Sequence, residues 1–155
     1  MKKIIWMLIM FVNITLFAGE EEDYKKTKGY CEEKSHKLCI ENYKTFEKAN
    51  PKSKYLRELK YFAGVANLKL YYSGEAIKYL GEFITDSTND LLKGKALLYY
   101  ADTIRYYYGM YDKTWSDKIF KALEIGIPLV KGSDFRKEAL DIMINISSAF
   151  TSNYY

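Results

Sequence analysis

The chain has little of what most catalytic and cofactor sites require. It contains a single histidine, His36, among 155 residues, and has no HExxH motif and no glycine-rich phosphate loop. His36 stands in a charged stretch, where a base–nucleophile triad cannot be assembled around it. Together with Cys31 and Cys39 it supplies at most three metal ligands. The sequence therefore predicts a protein that is not an enzyme, with no cofactor and no metal site.

The sequence also lacks a long hydrophobic run. The longest, residues 4–17, is interrupted by two polar residues and is shorter than the ~20 residues that span a bilayer. Two lysines precede it, while Ala18, Gly19 and four acidic residues follow it. This order is typical of a secretory signal peptide over residues 1–18, an uncleaved anchor being the alternative. We expect a periplasmic or secreted protein with no lipid-anchor cysteine and no integral membrane span after cleavage.

Neither sign of charge dominates the chain. There are 24 Lys and Arg residues against 20 Asp and Glu residues, a net charge of +4 that falls to +2 when Lys2 and Lys3 leave with the signal peptide. Basic and acidic residues alternate, as in the run LRELK from Leu56. A nucleic-acid surface needs a concentrated basic stripe, so the sequence predicts no nucleic-acid partner.

Cysteine is scarce, and its two copies are close together. An even pair in an exported chain favours a disulfide between Cys31 and Cys39. In one continuous helix eight residues rise ~12 Å, beyond the ~7 Å Cα limit, so a bond requires a turn within 32–38, where Ser35 could cap a new helix. No Gly or Pro lies in that gap, which favours the alternative of one straight helix. The mixed-charge segment 19–35 is otherwise expected to hold a short helix near 22–33.

The chain is rich in aromatic residues and in internal repetition. Ala63, Ala101 and Ala139 are 38 residues apart, and similar apolar patterns surround them. A second pattern, with spacings of four and then three residues, recurs as Cys39-Tyr43-Phe46, Ala76-Leu80-Phe83 and Trp115-Ile119-Ala122. Repetition at this period is typical of a helical solenoid. Because packed helices lie ~8–10 Å apart, we expect the three alanines to be buried at helix crossings.

Helix breakers separate the apolar-periodic stretches, and no stretch alternates long enough for a strand. Ser73 and Thr114 are the expected caps of two helices, Gly109 is expected to end one, and the last break is expected at Gly126, Pro128, Gly132 and Ser133. The sequence predicts an all-α chain with helices near 36–49, 54–71, 75–86, 90–108, 114–126 and 134–152.

Small and aromatic positions that alternate, with Pro51 following the Cys39-Tyr43-Phe46 helix, resemble tetratricopeptide repeats. The runs FEKANPKSKYLRELKYFAG and GEAIKYLGEFI are similar to repeats of periplasmic proteins that serve outer-membrane assembly and the Tol–Pal system. The resemblance covers about residues 36–152. It implies a right-handed superhelix of antiparallel helix pairs, a TPR-like α-solenoid of about three degenerate repeats over 36–155. The cysteine spacing also resembles Sel1-like repeats, whose disulfide staples a turn between helices.

The resemblance implies a concave groove that binds a protein or peptide. On the middle repeat, helical geometry places four candidates beside Ala101, namely Leu98, Asp102, Arg105 and Tyr106. Their counterparts on the first and last repeats are Lys60, Gly64, Asn67, Leu68, Arg136, Leu140, Met143 and Ile144. Gly64 would let a ligand backbone approach, and Arg105 and Asn67 would hold a carboxylate or a backbone group. The alternative is that Asp102 and Arg105 only form an exposed helix-surface pair.

Three functions remain open. The leading one is an exported TPR-like scaffold for a protein or peptide partner in the cell envelope. The alternative is a periplasmic inhibitor or immunity protein whose loop Tyr108–Ser116 plugs a toxin site. A small helical glycan-cleaving enzyme is less favoured, although the many carboxylates leave it open. The last helix is apolar on nearly every side, which predicts either cover by the preceding segments or a contact such as a homodimer.

Overall fold

The structure, a computed structural model, describes residues 19–85, 90–109 and 112–151. Within these ranges all regular secondary structure is helical, which confirms the all-α prediction. The first helix, α1, covers 19–32. The others are α2 (His36–Ala49), α3 (Leu56–Lys69), α4 (Ser73–Ile84), α5 (Leu91–Tyr108), α6 (Lys113–Val130) and α7 (Arg136–Thr151). The predicted signal peptide lies outside the described residues. No helix in the described ranges is long and apolar enough to cross a membrane.

Helix α5 is the centre of the packing. It contacts α4 and α6, its neighbours in the chain, and also α3 and α7. Its side chains Leu98, Ala101 and Ile104 are completely buried in the largest apolar cluster. Because four helices surround α5, most of its circumference is interior.

The three alanines of the 38-residue period are buried, as expected. Ala63 and Ala101 have no exposed surface, and Ala139 is almost fully covered. Ala63 packs in a cluster with Tyr43, Phe46 and two other buried side chains. A methyl group at these positions lets apolar faces of neighbouring helices come together, which explains why the period is visible in the sequence.

Helices α5 and α6 approach each other at two glycines. A Cβ atom on Gly94 would lie 2.7 Å from the Leu129 Cβ, and one on Gly126 would lie 3.0 Å from the Leu97 Cβ. The prediction of a break at Gly126 and Pro128 is therefore wrong, since α6 continues through both to Val130. Gly126 serves close packing rather than a turn. The break comes later, at Gly132, which belongs to the predicted set and has a φ of 82°.

The observed helix ends agree only in part with those predicted from the sequence. Gly109, with φ of 72°, ends α5 as predicted. The cap of α6 is Asp112, whose carboxylate accepts the Thr114 N–H at 2.7 Å, so Thr114 is a capped residue and not the cap. Ser73 is the first residue of α4 rather than its cap.

A disulfide closes the turn between α1 and α2. Cys31 and Cys39 are bonded, with their Cα atoms 4.8 Å apart, which confirms the predicted pair. The chain reverses at Lys34, whose φ of 61° is left-handed although it is not glycine. The straight-helix alternative is excluded. Ser35 stands at the N-cap of α2, but its side chain makes no capping hydrogen bond.

Contacts with the start of α3 hold α1 in place. The Tyr24 hydroxyl donates to the Glu58 carboxylate at 2.6 Å, and the Lys28 ammonium donates to the same carboxylate at 2.8 Å. The Tyr24 ring stacks on the Tyr55 ring with centroids 4.1 Å apart. Burial alone would raise the pKa of Glu58, but the hydrogen bonds from Lys28 and Tyr24 outweigh it and lower that pKa.

Candidate functional site

A cleft of about 350 Å³ opens where α3, α5 and α7 converge. We call it the α3–α5–α7 cleft. Its walls combine apolar, aromatic and charged side chains from all three helices and from the turn after α3. The lining residues are Leu68, Lys69, Tyr71, Tyr99, Asp102, Glu138, Asp141, Ile142 and Asn145.

One carboxylate in this cleft connects the three helices. Glu138 on α7 accepts a 2.7 Å hydrogen bond from the Tyr99 hydroxyl on α5, and the Lys69 ammonium on α3 lies 3.5 Å from the same oxygen. Burial raises the pKa of Tyr99, and neighbouring Tyr61 and Glu138 add to the effect. Tyr99 therefore remains a neutral donor, and its position beside Glu138 is fixed.

Asp102 and Arg105 form an ion pair at one side of the cleft. The Arg105 Nε and Nη2 atoms donate to Asp102 Oδ1 at 3.0 and 2.7 Å. Each side chain is 21% exposed, so the pair is more buried than the surface pair considered from the sequence. Its guanidinium is already engaged, and a ligand carboxylate would compete with Asp102 for it.

Two tyrosines form an exposed aromatic rim at the cleft. Tyr71, in the turn after α3, is 77% exposed, and Tyr106 on α5 is 62% exposed. Their ring centroids are 6.4 Å apart. Tyr71 has a left-handed φ of 62°, a conformation that costs free energy for a residue with a side chain. The rim offers ring surface and two hydroxyl groups to a partner.

Three residues predicted for the groove lie in the interior. Leu98 is completely buried on the side of α5 that faces α6. Asn67 is also buried, and its Nδ2 donates to the Ala63 carbonyl at 2.7 Å. At Gly64 an added Cβ would lie 2.8 Å from the Leu80 side chain, so this glycine admits α4 and not a ligand. None of the three residues is open to a ligand in this structure.

Lys60 and the residues of the last repeat lie on other surfaces. Lys60 forms an ion pair with Glu82 of α4 at 2.8 Å, away from the cleft. Arg136, Leu140 and Met143 line an apolar cleft of about 390 Å³ between α6 and α7. Ile144 on α7 is exposed. The predicted groove residues are thus divided between the interior and several separate surfaces.

Of the predicted set, Leu68 and Asp102 line the α3–α5–α7 cleft. Arg105 and Tyr106 join it through their contacts with Asp102 and Tyr71. The other seven lining residues were not predicted from the sequence, namely Lys69, Tyr71, Tyr99, Glu138, Asp141, Ile142 and Asn145. Tyr61 and Tyr99 occupy equivalent positions of the 38-residue period. This repetition is the sequence feature that could have indicated Tyr99.

A second aromatic cluster lies at the end of α5. The Tyr108 ring stacks on the Trp115 ring, with centroids 3.8 Å apart and planes 5° apart. Tyr107 packs against Tyr108 edge to face. These residues belong to the loop Tyr108–Ser116 or adjoin it, and positions 110 and 111 of that loop lie outside the described residues.

The remaining titratable candidate, His36, is not among the residues that line the α3–α5–α7 cleft. Burial lowers its pKa, and the nearby charges of Lys69 and Lys34 lower it further. In the described ranges no three His, Cys, Asp or Glu side chains are grouped to hold a metal ion.

Comparison of the chain with protein-family models, with curated proteins and with solved structures finds no match. The resemblance to tetratricopeptide repeats stays a prediction.

Proposed function

We propose that the protein is an exported TPR-like scaffold that binds a segment of a protein partner in the α3–α5–α7 cleft. The observation that carries this proposal is the exposed Tyr71–Tyr106 rim beside a cleft of mixed polar and apolar character. Tyrosine is enriched in protein interfaces because it offers a large ring and a hydroxyl at little cost in side-chain entropy.

The helix contacts support a stacked arrangement of helix pairs. Alternate helices meet, α3 with α5 and α5 with α7, whereas no Cα atom of α4 lies within 8 Å of α2 or α6 in the described ranges. A right-handed superhelix brings one helix of each pair together on its inner face and spreads the others on its outer face. On this arrangement α3, α5 and α7 are the inner helices, and their cleft belongs to the concave surface.

The charges of the cleft favour a partner segment that carries a basic side chain. Asp102 and Glu138 already accept hydrogen bonds from Arg105 and Tyr99. Asp141 lines the same cleft, and its carboxylate forms no ion pair or hydrogen bond within the described part of the chain. A lysine or arginine of the partner would pair with Asp141 and place its alkyl chain against the tyrosine rings.

The disulfide supports an extracytoplasmic location. Structural disulfides persist in oxidising compartments such as the periplasm, and the Cys31–Cys39 bond fixes the turn through which α1 reaches α3. This agrees with the signal peptide expected over residues 1–18.

A second candidate, a periplasmic inhibitor or immunity protein, is favoured by the other aromatic cluster. The Tyr108–Trp115 stack holds two large rings in a fixed orientation, and the adjoining Tyr107 is exposed. A rigid aromatic surface of this kind is suited to insertion into a partner's active site.

Site-specific photocrosslinking in cells tests the proposal. A photoreactive phenylalanine analogue at Tyr106 should give a crosslink to a defined partner, and the same analogue at exposed Lys44 on α2 should not. Asp141→Lys should abolish the crosslink from Tyr106 by opposing the partner's basic group. A crosslink from Tyr107 that survives Asp141→Lys would favour the inhibitor. No position-dependent crosslink from Tyr106 would contradict the scaffold proposal.

A further inference from the structure

A second cleft, of about 480 Å³, lies between α5 and α6 beside the end of α4. Its floor is apolar and lies below the surface, since Leu97 and Ala122 line it and both are buried. We call it the α5–α6 cleft. Its residues Leu97 and Tyr100 lie on the side of α5 opposite to Tyr99 and Asp102, given ~100° per residue. It is therefore separate from the α3–α5–α7 cleft.

Positive charge surrounds this apolar floor. Lys93, Lys118 and Lys121 line the cleft, and none of its described lining residues is acidic. Within the described part of the chain neither Lys118 nor Lys121 forms an ion pair, although the Lys118 ammonium lies 4.1 Å from the centroid of the Trp115 ring. Like charges in a concave site reinforce one another and raise the local concentration of anions.

The sequence of α6 explains how charge and apolar surface come together. Lys118, Lys121 and Ile125 follow one another at helical spacings of three and four residues and share a face of α6 with Ala122. The short side chain of Ala122 leaves space between the helices that a larger residue would fill. The lysine stems extend past this space and carry their ammonium groups at its edge.

From this geometry we infer that the α5–α6 cleft binds a small amphiphilic anion. Lys118 and Lys121 hold the anionic head group, and an alkyl tail lies over Leu97 and Ala122. The volume falls within the ~300–1,000 Å³ of small-molecule sites, which are mostly apolar with a few charged groups. Because the floor is recessed, the occupant is a single molecule and not the flat surface of a bilayer.

Trp115 provides a reporter for this site. The sequence has two tryptophans, Trp6 and Trp115, and Trp6 belongs to the predicted signal peptide. A head group that draws Lys118 away from the ring should change the fluorescence of Trp115. Titration of the disulfide-intact protein with decyl phosphate should give a saturable change that Trp115→Phe removes. Calorimetry measures the same binding without the reporter.

The lysines are tested by K118Q/K121Q. This double variant should bind decyl phosphate at least tenfold more weakly. The matched control K44Q/K48Q removes two exposed lysines from α2 and should bind like the original protein. K118R/K121R keeps both charges and should retain binding, which separates charge loss from misfolding.

Compounds that lack either the tail or the charge test which features of the ligand the cleft recognises. Inorganic phosphate lacks the tail and decyl maltoside lacks the charge, so each should bind at least tenfold more weakly than decyl phosphate. Equal binding of either one, or unchanged binding by K118Q/K121Q, would overturn the inference. So would binding to phosphatidylglycerol vesicles without binding of monomeric decyl phosphate, because the surface would then recognise bilayers. A failure here leaves the crosslinking test of the scaffold unaffected, since the two clefts share no lining residue.

Discussion

The Tyr99 hydroxyl donates a 2.7 Å hydrogen bond to the Glu138 carboxylate, although the two residues are 39 positions apart. The bond joins α5 to α7, and Lys69 brings α3 to the same oxygen. Because burial raises the pKa of Tyr99, the hydroxyl keeps its proton and remains a donor throughout the physiological pH range. Glu138 thus connects all three helices at their cleft.

Removal of this hydroxyl should destabilise the protein. Tyr99→Phe deletes the donor and leaves the Glu138 carboxylate with Lys69 alone, at a cost of about 1–3 kcal/mol for a hydrogen bond to a charged group. Urea unfolding followed by circular dichroism measures the change in the free energy of unfolding. The matched control, Tyr71→Phe, removes a hydroxyl from an exposed ring and should leave the midpoint unchanged. Equal midpoints for all three proteins would show that the Tyr99 bond contributes nothing to stability.

The disulfide should contribute more to stability than a hydrogen bond between two neutral groups. Opening the short Cys31–Cys39 loop restores conformational freedom to the unfolded chain and should cost about 2–3 kcal/mol. Unfolding with and without dithiothreitol measures this difference. The double variant Cys31→Ser/Cys39→Ser should match the reduced protein and be insensitive to the reductant. Mass spectrometry of unreduced exported protein should show the two cysteine peptides linked, and two free thiols there would contradict the bond.

The sequence predicted the helices better than the cleft. The bounds of α2, His36–Ala49, agree with the prediction, since Asn50 and Pro51 end the helix although no Gly or Pro directly precedes it. For α6 the breaker rule failed, since Gly126 is used for close contact with α5, and this depends on the position of another helix. Sequence periodicity locates the apolar face of a helix but does not show how many other helices pack against it. Four helices surround α5, so the flank that contains Leu98 is buried.

The pairing of Tyr99 with Glu138 could not be predicted from the sequence. It depends on the rotation of α5 relative to α7, which packing decides. The period does relate Tyr61 to Tyr99, and both rings are buried. The repeated tyrosine could therefore indicate which face of α5 is buried. It could not indicate that Glu138 is the hydrogen-bond partner of Tyr99.

Stability should depend on pH through Glu58. Hydrogen bonds from Lys28 and Tyr24 lower its pKa below the ordinary 4.5 against the effect of burial. A carboxyl group with a lowered folded pKa stabilises the protein above the unfolded pKa, and this contribution disappears as the pH falls through the folded pKa. The ion pair is partly exposed, which limits the effect to about 0.2–1 kcal/mol.

The measurement compares the original protein with Glu58→Gln between pH 7 and pH 3. The original should be more stable at pH 7, and the difference should shrink as the pH falls below about 4.5. Glu22→Gln, which removes an exposed carboxylate from α1, serves as the charge-matched control. A difference between the original and Glu58→Gln that stays constant over the whole range would contradict the role assigned to Lys28 and Tyr24.

The exposed apolar side of α7 predicts self-association. Leu140 and Ile144 are 48% and 61% exposed, and Met143 lines the neighbouring α6–α7 cleft. If two copies pair through this side, Ile144→Asp buries a charge in the interface and should convert a dimer into a monomer in light scattering. The helical circular-dichroism signal should be unchanged because Ile144 is outside the core. Asn145→Asp adds the same charge to an exposed position on the opposite side of α7 and should keep the dimer. If the original protein and both variants have the mass of a monomer, α7 is not a homodimer interface.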